Sequence, residues 1–116
     1  MNDSSNTNKY RISLDAMGGD YAPEQTVLGA IEACKSDDTE ILLVGEEQAL
    51  SQYIPKDMPS NLKIIPSHGV IYETESPIEA MKQKPKSSIL MSAMLVKDGQ
   101  ADAYVSMGST GAAMAA

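Results

Sequence analysis

Tryptophan and phenylalanine are absent from the 116 residues, and five tyrosines are all that remains of the Phe, Trp and Tyr class. Little is left for stacking on nucleobases. Positive charge is scarce as well: nine Lys and Arg stand against sixteen Asp and Glu, a net charge of −7 that opposes general affinity for phosphate backbones. Nucleic-acid binding is therefore not expected. A single cysteine, Cys34, leaves no partner for an internal disulfide, as suits a reducing compartment. The longest apolar runs, Ile41–Val44 and the Ser-interrupted Ile89–Val96, fall far short of the ~20 residues needed to cross a bilayer. The opening MNDSSNTNK lacks the basic start and apolar centre of a secretion signal, which points to a protein made and kept in the cytoplasm.

What is present is enough to fold. Hydrophobic residues make up 42% and charged residues 22%, in a length that suits one domain of ordinary size and not two. Residues 1–9 are polar, Asn/Ser-rich and aperiodic and are expected to form a flexible tail; the domain is read as 10–116. Tyr10 to Asp15 alternates weakly and runs into Met17-Gly18-Gly19-Asp20, the pattern of a strand entering a glycine turn. Pro23 suits the first position of a helix in which Val27, Ile31 and Cys34 share a buried face. That spacing makes Cys34 a core residue rather than a reactive thiol. Ser36-Asp37-Asp38 closes the helix, and Glu40–Gly45 is a nearly unbroken apolar strand of the kind buried on both faces, which implies a parallel sheet.

Glu46–Tyr53 is a short helical candidate and Leu62–Ile65 a third strand, ending at Pro66-Ser67-His68-Gly69. Pro77 opens a helix to Lys84, and Ser87 or Ser88 is expected to cap another over Ile89–Lys97. The latter is apolar almost all round, so it should lie between layers or in a subunit interface. Ala103–Ser106 reads as a fourth strand, followed by a second glycine turn, Met107-Gly108-Ser109-Thr110-Gly111. Alternating strands and helices predict an open, mainly parallel α/β sheet with right-handed crossovers. Ala112–Ala116 resembles the first turn of a helix, so the chain is expected to be the N-terminal part of a longer protein.

In such sheets ligands bind beyond the carboxyl ends of the strands. Three loops fall there. The loop Ser106–Gly111 is the best anion candidate: Gly108 and Gly111 admit a ligand to the backbone, and Ser106, Ser109 and Thr110 add hydroxyl donors. The same glycines could equally serve to turn a strand into a helix. Asp15 and Asp20 bracket the first glycine pair and repel a naked phosphate, so they either orient the loop or act structurally, Asp20 as a helix cap and Asp15 as an acceptor of backbone N–H bonds. His68 is the one histidine, available for proton transfer or simply structural. Lys82, Lys84 and Lys86 form one basic cluster, either a solvated face or a docking patch. The sequence carries no GxxxxGK[ST], no GxGxxG after the first strand and no Cys/His cluster for zinc.

Leu14-Asp15-Ala16-Met17-Gly18-Gly19-Asp20-Tyr21-Ala22-Pro23, Leu43-Val44-Gly45, Pro77 with Ala80, Ser87-Ser88, Leu95–Ala103 and Ser106–Ala112 stand in the order found in the PlsX family, which they resemble from Tyr10 to Ala116. The family consists of bacterial phosphate acyltransferases of phospholipid synthesis, and the resemblance covers about the first third of its usual length. It implies transfer of a fatty acyl group from acyl carrier protein to inorganic phosphate, giving acyl phosphate, with no metal or organic cofactor. It also implies an α/β/α core similar to the phosphotransacetylases and isocitrate dehydrogenases, here incomplete, a homodimer, and a cytoplasmic enzyme able to associate peripherally with the membrane. Met107 and Ser109 stand where the family reads Ala and Asn; its Arg-Lys-Lys run is here Lys82-Gln83-Lys84-Pro85-Lys86, and its His-Ala pair is His68-Gly69.

On that resemblance Ser106, Gly108, Ser109, Thr110 and Gly111 are expected to hold phosphate or the oxyanion, Asp15 and Asp20 to orient the loop, His68 to move a proton, and Lys82, Lys84 and Lys86 to dock an acidic carrier protein. Two rival readings are a phosphotransacylase for short acyl thioesters, such as the acetyl-phosphate-forming component of the glycine reductase complex, and a non-catalytic binding fragment.

Overall fold

The computed structural model describes residues 10–35, 38–72 and 74–108. The expected tail at 1–9, the helix closure at Ser36-Asp37 and the helix opening at 112–116 lie outside them. Four strands, β1 (Tyr10–Asp15), β2 (Thr39–Gly45), β3 (Leu62–Pro66) and β4 (Ala103–Val105), alternate with four helices among the described residues. These are α1 (Glu24–Ala33), α2 (Glu47–Ser51), α3 (Pro77–Gln83) and α4 (Ser88–Lys97).

All neighbouring strands are parallel, in the order β3-β2-β1-β4. Ile12 stands opposite Ile41 on one side and Ala103 on the other, and Leu43 opposite Ile64. The unbroken apolar run of β2 follows from cover on both faces, which removes any solvent side on which alternate polar residues would be favoured. On one face Ile41 and Leu43 pack with Val27, Ala30 and Cys34 at α1, with Leu50 of α2 and with Leu62. On the other, Leu42 and Val44 pack with Leu95 of α4 and with Ala101. A smaller cluster of Ile71, Ala80 and Ile89 joins α3 to the start of α4.

Cys34 is buried in the first cluster, as its spacing predicts; burial pushes its thiol pKa up, and its Sγ donates to the Asn61 carbonyl at 3.6 Å. Helix α4 covers the second face of the sheet, so its position is a layer within the fold. Its inward side is partly serine: Ser13 Oγ donates to the Ser92 carbonyl at 2.8 Å, and Ser92 Oγ to that of Ser88 at 2.8 Å. The caps expected of Ser87 and Asp20 are not formed. Ser76 and Ser87 occupy the N-cap positions of α3 and α4, but neither side chain bonds its helix, and Asp20 does not cap α1. Thr26 organises the turn before α1 instead, donating to the carbonyls of Ala16 at 2.6 Å and Pro23 at 2.8 Å.

From β1 the chain winds outward to β2 and β3, then returns to lay β4 on the opposite flank of β1. The winding direction therefore reverses between β1 and β4. In an open parallel sheet that reversal leaves a crevice outside the carboxyl ends of the two strands, because their following loops diverge to opposite faces.

Candidate functional site

Asp15, the last residue of β1, is buried, and its carboxylate is surrounded by donors. One oxygen accepts the backbone N–H groups of Met17 at 3.0 Å and Gly18 at 3.1 Å. The other accepts the Ser106 hydroxyl at 2.8 Å, and the Ser106 oxygen in turn accepts the Gly108 N–H at 3.1 Å. One carboxylate thus turns the chain after β1 and ties that turn to the loop after β4, across 91 positions of sequence. The backbone role expected of Asp15 is present together with the tie to Ser106.

The glycines explain how two loops can meet so closely. A Cβ on Gly18 would lie 2.7 Å from the Asp15 carboxylate and 2.9 Å from the Gly108 nitrogen, and one on Gly108 would lie 3.2 Å from the Gly18 Cα. Backbone packs on backbone at this point, and no side chain fits between. Gly19 has φ +102, which a residue with a Cβ adopts only under strain.

From this junction an open cleft of about 1240 Å³ runs along the α1 side of β1 and β4. Leu14, Tyr21, Ala30, Val105 and Met107 are among its lining residues, so its walls are mainly apolar while the glycine loops form one end. Asp20 also lines it, exposed to solvent. Ser109, Thr110 and Gly111, expected to contact phosphate, lie outside the described residues.

The other expected residues sit elsewhere on the rim. His68 follows β3, two strands from Asp15 or roughly 10 Å across the sheet. Its side chain is exposed and its backbone N–H bonds the Lys86 carbonyl at 2.8 Å. Lys82 and Lys86 are exposed. Lys84 is not part of a solvated face: its ammonium donates to the Val70 carbonyl at 2.7 Å and the Glu75 carboxylate at 2.8 Å, and lies 5.4 Å from the Tyr72 ring centre. The hydrogen bond from Lys84, with that from the Tyr72 N–H, holds the Glu75 carboxyl below its ordinary range.

Two buried serines had no local signal as site residues. Ser67 Oγ, just beyond β3, and Ser87 Oγ, at the head of α4, have no hydrogen-bond partner. Among the described residues no group of three or more His, Cys, Asp and Glu could hold a metal ion, and no helix is long and apolar enough to cross a membrane.

The model of the fatty acid synthesis protein family matches residues 10–116. The chain is 42% identical over 107 residues to a phosphate acyltransferase of Brevibacillus brevis, covering 91% of this chain and 32% of that protein. It is 47% identical over 109 residues to a phosphate acyltransferase of Thermosynechococcus vestitus and 48% over 109 residues to one of Cyanothece sp., each alignment covering 93% of this chain and 32% of the relative. The chain thus spans about a third of the length of the curated relatives it matches. With the family model extending from the first strand through residue 116, the chain belongs to the fatty acid synthesis protein family, the PlsX-type family that its motifs resemble.

Proposed function

We propose that this chain forms the phosphate-side part of a phosphate acyltransferase that moves a fatty acyl group from acyl carrier protein to inorganic phosphate, supplying acyl phosphate for phospholipid synthesis. The observation that carries the reading is the junction of the two glycine loops, held by Asp15 and Ser106 where the sheet reverses its winding. In the reaction a phosphate oxygen attacks the thioester carbonyl, a C–O bond forms, the C–S bond breaks, and the thiolate leaves and takes up a proton. Phosphate is already a nucleophile, so the protein's task is to desolvate it, aim it and stabilise the oxyanion that develops on the carbonyl oxygen.

Ser109, Thr110 and Gly111 supply backbone and hydroxyl donors for that charge in this reading, Gly108 admits the ligand close to the backbone, and Ser106, whose oxygen takes the Gly108 N–H, is the link to Asp15. Asp15 positions the loop; its carboxylate is occupied by donors and does not itself face an incoming anion. Asp20 orients the outer turn, and His68, at the rim by β3, serves proton transfer. The apolar cleft opening from the loops supports an acyl donor of hydrocarbon character. Lys82 and Lys86, exposed in an acidic chain, remain for docking an acidic carrier, with Lys84 bracing the segment they flank. A homodimer working in the cytoplasm and touching the membrane peripherally belongs to the same proposal.

The test is a chimera in which residues 10–116 replace the matching segment of the Brevibacillus brevis relative. Acyl phosphate formation is assayed with acyl carrier protein thioesters, with short acyl thioesters, and with the 116-residue chain alone. The reading expects turnover by the chimera, preference for the carrier-bound long acyl group, and none by the chain alone. A folded chimera without transfer overturns it, and preference for the short thioester moves it to the phosphotransacylase class.

A further inference from the structure

Between β3 and α3 the described residues belong to neither helix nor strand, yet they reach the cleft on the far side of the sheet. β3 lies two strand spacings, roughly 10 Å, from β1. The step from Pro66 to Tyr72 covers up to about 20 Å when extended, enough to cross that distance. Val70, Ile71, Tyr72 and Thr74 accordingly line the same cleft as Gly18 and Gly108. The loop after β3 is thus a third contributor to the site, and Tyr72 is its largest side chain there.

Irregular backbone keeps one position only where its polar groups are tied. At its root the segment is fixed by Ile71, which is buried against Ala80 and Ile89. Farther out, one cation holds it. From the C-cap of α3, the Lys84 ammonium donates to the Val70 carbonyl at 2.7 Å and the Glu75 carboxylate at 2.8 Å, and it lies 5.4 Å from the centre of the Tyr72 ring. Glu75 in turn accepts the Tyr72 N–H at 2.9 Å and gives its own N–H to the Tyr72 carbonyl at 3.0 Å. Both main-chain groups of Tyr72 and its ring therefore depend, directly or through one carboxylate, on a single ammonium. The Lys84 and Glu75 side chains are half-buried, so solvent screens their pairing less than that of ions on the open surface. The Tyr72 side, by contrast, is 60% exposed. A ring held on one side and open on the other gives contact area to a ligand at small cost in ordering.

We infer that Tyr72 is a further contact for the acyl donor in the cleft, and that Lys84, which does not touch the donor, is the positioning residue that sets Tyr72 there through Val70 and Glu75. This rests on the reading of the cleft as the donor site given above. It assigns the loop after β3 to the donor and leaves the anion to the glycine loops.

The test uses the lauroyl thioester of N-acetylcysteamine, titrated into the 15N-labelled 116-residue chain with amide shifts followed, and assayed as donor in the chimera. Saturable shifts at Val70, Tyr72 and Val105 are expected, with affinity reduced about tenfold in Tyr72→Ala and in Lys84→Met. Lys84→Arg, whose guanidinium still serves Val70 and Glu75, should bind within about threefold of the parent. In the chimera Tyr72→Ala and Lys84→Met should raise the donor KM about tenfold and hold the phosphate KM within about twofold. A role in stability alone would lower the transition temperature and the amount of active enzyme without separating the two constants. Shifts that spare Tyr72, or a Lys84→Met chain that binds the thioester as the parent does, would overturn the inference. Should Lys84→Met fail to fold, Tyr72→Ala, on an exposed ring, decides. Thioester binding as expected with no transfer by the chimera overturns the proposed reaction alone, and transfer with an unaltered donor KM in both variants overturns this inference alone.

Discussion

The two sides of β1 are built differently. Toward β2 and β3 the sheet is sealed by hydrocarbon: Val27, Leu43, Leu50 and Leu62 are at most 1% exposed and pack as one cluster. Toward β4 the pairing is three residues long, Val105 is 47% exposed, and polar contacts hold both ends. At the lower end Arg11 and Asp102 exchange backbone and side-chain hydrogen bonds, with Asp102 Oδ2 2.8 Å from the Arg11 N–H. At the upper end stands the Asp15–Ser106 tie. Hydrocarbon burial scales with area and tolerates small shifts, whereas hydrogen bonds fail when geometry changes by a fraction of an ångström. The half that carries the candidate site is thus positioned by direction-dependent contacts, and the other half by hydrocarbon burial.

The contrast is sharpest in what each side should lose on substitution. Leu43→Ala removes a fully buried side chain from the cluster and should cost about 2–5 kcal/mol, read as a fall in the urea midpoint shared by every strand. Asp15→Ala strips the acceptor from two amides and one hydroxyl and should cost about 2–3 kcal/mol. Hydrogen exchange should then quicken at 103–108 well before 41–44; equal loss in both segments would break the comparison. Gly18→Ala forces a methyl group against the Asp15 carboxylate and the Gly108 backbone, costing about 1–3 kcal/mol and again concentrated on the β4 side.

The smallest effect concerns pH. Asp102 is held below its ordinary carboxylate range by the Arg11 backbone N–H and then by the Arg11 side chain, and Glu75 by Lys84. A carboxyl whose folded-state pKa is lowered adds stability above its unfolded value and loses it as pH falls through the folded one. Acid titration of stability should therefore flatten slightly in Asp102→Asn, with the change in exchange rates confined to β4. An unchanged slope would show that the pair is fully screened by solvent.

Much of the sheet was legible because burial writes itself into local pattern. The apolar run Ile41–Val44 announced a strand covered on both faces, and Pro23 and Pro77 announced the starts of α1 and α3 within a residue. Polar detail was less legible, since a serine before a helix has several possible acceptors and tertiary geometry chooses among them. Ser87 thus reads as a cap and does not cap. The three loop positions were each readable, but not which pair would meet. That depends on strand order, and strand order rests on a pairing between Ile12 and Ala103 that no local window contains. Gly18 likewise reads as a turn residue, although its lack of a side chain serves a contact with Gly108.

The reach of that last pairing bears on how the chain acquires its shape over time. Joining β1 to β2 brings together residues about 30 apart, whereas joining β1 to β4 spans about 90, and closing the longer loop costs about 1 kcal/mol more in chain entropy if nothing lies ordered between. Pairings of long sequence separation slow folding. A polypeptide emerging from the ribosome can complete β1, β2 and β3 while β4 is still inside the exit tunnel, and at about 5–20 residues per second the delay between Pro66 and Val105 amounts to seconds. The outer edge of β1 faces solvent during that interval, an unsatisfied row of amides and carbonyls open to another nascent chain. Its docking by β4 covers Ile12–Leu14 of that edge and brings the two glycine loops together in the same late step.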